Sequence, residues 1–81
     1  MEEYASFGEW IRRRRKVLDL TQRDLADRVG CAIVTIKKIE ADERRPSRQV
    51  AERIADCLDI PPDKRDQFVQ CARGQTAVVR L

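Results

Sequence analysis

Cys31, Cys57 and Cys71 are the side chains of this chain best suited to nucleophilic or metal-binding work, and their pattern argues against both. The chain contains no histidine, so a Cys-His or Ser-His pair cannot form within it. Three cysteines, none near another in sequence, do not make a disulfide framework, and a structural zinc site wants about four Cys or His ligands at paired spacing. They read as thiols of a small core, and Ser6 and Ser47 read as helix caps. No metal site, cofactor or enzymatic activity is expected. The remaining chemistry is electrostatic. The net charge is only +3, but the segment from Arg12 to Arg48 carries 12 Lys/Arg against 6 Asp/Glu. A basic excess confined to one contiguous half of the chain points to a polyanionic partner, either nucleic acid or an anionic surface.

Those cations need a scaffold. The 81 residues, 42% hydrophobic and 38% charged with only three Gly and three Pro, suit one all-α domain better than a turn-rich β sandwich. A first helix runs from about Ser6 to Leu18. Phe7, Trp10, Ile11, Val17 and Leu18 form its apolar stripe, and Arg14 lies on the same stripe with its guanidinium lifted to water. Ser6 caps it, with Glu9 completing a capping box. The Asp19-Leu20 connector leads to Thr21, the N-cap of a second helix over Gln22 to Val29 with Leu25, Ala26 and Val29 facing inward. Gly30 permits a sharp left-handed stop. A third helix over Ile33 to Ala41 turns Ile36 and Ile39 inward. Asp42 to Pro46 is a charged loop. Ser47 caps a fourth helix that ends near Leu58, amphipathic through Val50, Ala51, Ile54, Ala55 and Leu58. Pro62 opens a fifth helix with Phe68, Cys71 and Ala72 inward, and Gly74 ends it. Residues 1–74 form the domain, and 75–81 form a tail or the start of a linker. No stretch approaches the ~20 apolar residues of a membrane span. The acidic start, Met1-Glu2-Glu3, precedes no apolar signal core, so a cytoplasmic protein is expected.

The block Leu20-Thr21-Gln22-x-x-Leu25-Ala26-x-x-x-Gly30-x-x-x-x-Thr35-Ile36-x-x-x-Glu40, followed by Pro46, resembles the phage-repressor and Cro-like helix-turn-helix family, also called the XRE family. The resemblance covers Phe7 to Arg73. It implies a compact five-helix DNA-binding domain with the helix-turn-helix motif at residues 21–40 on the second and third helices. Physical reasons stand beside it: a small Ala26 lets the two helices cross closely, and a protruding third helix matches a major groove about 12 Å wide. The resemblance gives Gln22 a phosphate contact and Ile33, Val34 and Lys38 base-reading positions. Thr35 and Lys37 flank these positions, and Arg44 and Arg45 are placed for backbone contacts. It also makes Arg15 and Glu40 a structural ion pair rather than a DNA contact.

Several positions depart from the family pattern. Ala32 stands where a capping Ser or Thr is usual, at a typical cost of about 1 kcal/mol. Asp19 and Asp42 stand near positions usually held by Gly. Ile33 and Val34 are apolar where polar readers are common, and three roles remain open: contact with thymine methyl groups, an apolar patch for a protein partner, or Val34 turned into the core. The expected function is sequence-specific binding of double-stranded DNA as part of a bacterial transcription regulator. The alternative is a protein-interaction module that uses Ile33 and Val34. One domain covers a half-site, so a homodimer on a two-fold operator is expected, with an additional effector domain outside this chain.

Overall fold

The computed structural model describes residues 6–74. They form α1 (Phe7–Val17), α2 (Gln22–Val29), α3 (Ile33–Glu40), α4 (Arg48–Cys57) and α5 (Arg65–Ala72), with a 3-10 turn over Pro62–Lys64 before α5. No strand occurs among the described residues. The 75–81 tail lies outside them.

Local chemistry sets the starts of these helices. The Ser6, Thr21 and Ser47 hydroxyls accept hydrogen bonds from the backbone N–H groups of Glu9, Asp24 and Val50, as N-cap residues do. At α2 the box is reciprocal, because the Asp24 carboxylate accepts from Thr21 N–H at 2.9 Å. Glu9 pairs with Arg13 at 3.1 Å.

The helix ends share a device. Asp19, Asp42 and Asp59 hold φ of 60°, 60° and 56°, each one residue past a C-cap. In each case the next N–H reaches back to close a Schellman motif: Leu20 to Arg15 O, Glu43 to Lys38 O and Ile60 to Ala55 O. Asp enters the left-handed region more readily than most residues, so three helices stop sharply without glycine. Gly30, at φ +83°, ends α2 in the usual way.

The core gathers Phe7, Trp10 and Ile11 of α1, Leu25 and Val29 of α2, Ile36 and Ile39 of α3, Ile54 of α4, and Phe68 of α5. Phe68 lies at its centre, with ring centroids 5.2 Å from Phe7 and 5.8 Å from Trp10. Val69 is also buried, which the inward stripe drawn from the sequence omitted. Val17 corrects that stripe more sharply: it is 73% exposed. The buried arc of α1 runs through Phe7, Ile11 and Arg15, and this places Val17 at its flank. Arg14 differs as well. Its Nε donates to Leu58 O at 3.1 Å, so its guanidinium ties α1 to the end of α4 instead of rising into water. The fifth helix begins later than Pro62 because the Pro62–Lys64 turn is 3-10.

Candidate nucleic-acid interface

The corner formed by α2 and α3 is held from beneath and bare on top. Leu25, Ala26 and Val29 face Ile36 and Ile39 in the core. Arg53 of α4 donates to Val29 O at 3.2 Å, bracing the turn from below.

At the far end of α3, Glu40 is surrounded by donors. Arg15 Nε lies 2.7 Å from Glu40 Oε2, and Arg15 Nη2 lies 3.1 Å from Oε1. The side chains are 10% and 4% exposed. Arg15 Nη1 also donates to Leu20 O at 2.8 Å. This is a bidentate pair with a third guanidinium N–H also bonded, the condition under which a buried ion pair holds elements in register. Gln22 joins the cluster, its Nε2 donating to Glu40 Oε1 at 3.1 Å. The amide has a second N–H, and the side chain is half-buried at the first position of α2.

Two residues that sequence reasoning passed over lock α3 to α1. Asp42 Oδ1 accepts from Gly8 N–H at 3.0 Å. A Cβ on Gly8 would lie 2.5 Å from the carbonyl oxygens of Ile39 and Glu40, so only glycine allows α1 to sit this close to the end of α3. The apolar pattern around Gly8 carried no such signal. Asp42 is visible in the sequence only as an Asp at a turn.

The opposite face of α3 is exposed at Val34, Lys37, Lys38 and Ala41, a single stripe at i, i+3, i+4 and i+7. Val34 is 52% exposed, which removes the reading of Val34 as core. Ile33 is half-buried and packs against the core, so of the two apolar candidates Val34 alone projects freely. Thr35 lies between the faces and lines a cavity of about 370 Å³ with Arg44, Arg45 and Ser47. Both arginines are exposed. Ala32 holds the extended conformation of an N-cap but supplies no side-chain bond.

Cys31 and Cys57 are half-buried. Burial pushes the Cys31 thiol up, against the opposing charge of Arg44. Burial also raises Cys57, against Arg28. Cys71 is buried in the core, and no disulfide joins the three. Among the described residues no group of three His, Cys, Asp or Glu could hold a metal ion, and no helix is long and apolar enough to cross a membrane.

A short, tightly crossed helix pair presenting a cationic stripe, on an all-α frame of five helices, defines a helix-turn-helix domain. Residues 11–64 match the family model described as helix-turn-helix, and the chain belongs to this family, of the phage-repressor (XRE) type. It is similar to the cryptic phage CTXphi transcriptional repressor RstR of Vibrio cholerae, with 34% identity over 56 residues, or 69% of this chain and 50% of that protein. It is also similar to an uncharacterized HTH-type transcriptional regulator of Methanothermobacter thermautotrophicus, with 48% identity over 48 residues, 59% of this chain and 70% of that one. The chain thus spans half the length of the Vibrio repressor. No solved structure matches it.

Proposed function

We propose that this chain binds double-stranded DNA sequence-specifically as part of a transcription regulator, with α3 in the major groove. The observation that carries the reading is the outward stripe of Val34, Lys37 and Lys38, aimed by a buried polar cluster on the other side of the same helix. The transcriptional repressor and regulator it resembles support it. In this reading Lys38 reaches base edges and Val34 meets thymine methyl groups, with Ile33 contacting from the rim. Lys37, Thr35, Arg44 and Arg45 bind phosphates on either side. Gln22 offers its second amide N–H to a phosphate at the start of α2, where the helix dipole favours an anion. The protein works by binding, in the cytoplasm, and specific recognition uses a homodimer on a two-fold operator. An effector domain beyond these residues is part of the same proposal.

The exposure of Val34 favours a second reading, in which α3 docks on a protein. A lone projecting valine is a small patch for that purpose, and the neighbouring lysines suit a polyanion better. Selection of bound duplexes from a random pool tests the first reading. A palindromic consensus, with affinity that falls steeply as salt rises, is the expected result. A pool that never converges, or binding that responds weakly to salt, refutes it.

A further inference from the structure

Arg73, the C-cap residue of α5, lines the same cavity as Thr35, Arg44 and Arg45. None of the described residues lining that cavity is acidic. On its other side Arg73 borders a second cavity, of about 490 Å³, where Arg48 and Asp66 both lie. The two spaces differ in character: one holds its own counter-charge, and the other, beside the exposed helix α3, gathers three guanidiniums without one.

Arg45 lines this space and its guanidinium lies against the end of α5. Gly74 follows the C-cap at φ +74°, and a Cβ there would fall 2.8 Å from both Arg45 Nε and Nη1. The guanidinium therefore occupies the volume where any other residue would begin its side chain. It lies at the C-terminal end of α5, the pole of a helix that attracts cations. None of Arg44, Arg45 and Arg73 forms an ion pair with a described residue. A space lined by several cations and no acid favours an anion.

We propose that the C-terminal end of α5 belongs to the DNA-contacting surface. Arg73 supplies a further backbone-phosphate contact beside Arg44 and Arg45, and Gly74 is a positioning residue that seats Arg45. The inference rests on the DNA-binding reading above, and it extends the contact surface from the α3–α4 loop to a fifth helix that neither motif nor family likeness had included.

The test measures fluorescence anisotropy of the full 81-residue chain on a selected duplex across a salt series, with a circular-dichroism melt of each variant. Failure of the unmodified chain to bind any duplex would sink the DNA-binding reading itself. Given binding, Arg73→Ala is expected to lower the slope of log affinity against log salt by about 0.9, with roughly a three- to tenfold loss near 0.1 M salt. Arg73→Lys should restore the slope, since a point charge suffices for phosphate. Gly74→Asn keeps a residue that tolerates left-handed backbone but places a Cβ against Arg45. It should produce a similar drop in slope, and that drop should vanish when Arg45→Ala is already present. An unchanged slope for Arg73→Ala, even with a lowered melting temperature or altered self-association, overturns the Arg73 contact. Additive losses in Gly74→Asn with Arg45→Ala overturn the seating role.

Discussion

Ile36, Ile39 and Glu40 on one face of α3 are fixed from several sides, by the core, by Arg15 and by Gln22. On the other face the side chains of Lys37 and Lys38 form no hydrogen bond or ion pair with any described residue, and Val34 stands in solvent. Eight residues thus divide into an anchored half and a presented half. The same contrast separates the helix starts, because α2 opens with a reciprocal capping box while α3 opens on an alanine. The difference teaches that α3 owes little to its own local stability. A helix of this length is marginal alone. Its direction is set by burial and by one ion pair, which leaves the outward residues free of any structural duty.

The sharpest way to break that division is at Glu40. Glu40→Ala leaves the Arg15 guanidinium, only 10% exposed, without its carboxylate. Removing one partner of a buried pair costs about 3–5 kcal/mol, and urea denaturation is expected to show a loss of this size. A loss below about 1 kcal/mol, the range of exposed pairs, would mean that the anchor is not what holds α3. Lys38→Ala is the complementary experiment. Stability should stay within about 0.5 kcal/mol of the original. Affinity for the best duplex should fall by about 1–3 kcal/mol, with altered preference at one base pair. A uniform loss across sequences would move Lys38 from base reading to phosphate contact.

Much of the anchored half was legible in the sequence. Thr21, Gly30 and the Ile36–Ile39 spacing place the corner, because caps, left-handed stops and apolar periodicity are local signals. What escaped was set by contacts across the chain. Val17 fits an apolar stripe by spacing, yet burial of Arg15 against Glu40 turns the arc of α1 past it. Arg14 finds a carbonyl 44 residues away. Gly8 and Asp42 meet only because α1 and the end of α3 are neighbours in space. The candidate reading residues were nameable through family likeness, but the unequal exposure of Ile33 and Val34 required the fold.

A smaller effect sharpens the contrast between the two helix starts. Ala32 sits at φ −72°, ψ 148°, close to the geometry of Thr21 at φ −82°, ψ 166°. Thr35 N–H, the donor at the position that Ser6, Thr21 and Ser47 cap in their own helices, already reaches Ala32 O at 3.0 Å. Ala32→Ser can share that donor without moving the backbone and should add about 0.5 kcal/mol, the low end for a cap. In a domain of this size that amounts to a rise in melting temperature of about 2–4 °C. No rise would show that the bond from Thr35 N–H to Ala32 O already satisfies this end of α3.

The smallest effect belongs to the cap that α2 already has. The Thr21 N–H and hydroxyl, with a lesser contribution from the Arg28 charge, hold the Asp24 carboxyl below its ordinary value of 3.8. Folding therefore favours the ionised form. The stabilisation is fully present above the unfolded value and is lost as pH falls through the lower, folded value. Asp24→Asn keeps the shape and removes the titration. Denaturation midpoints of the variant and the original chain should differ modestly at pH 7, and the gap should close below about pH 4 as the original carboxylate is protonated. A gap that persists unchanged into acid would mean that the cap acts through geometry alone, and that the start of α2 gains nothing from its charge.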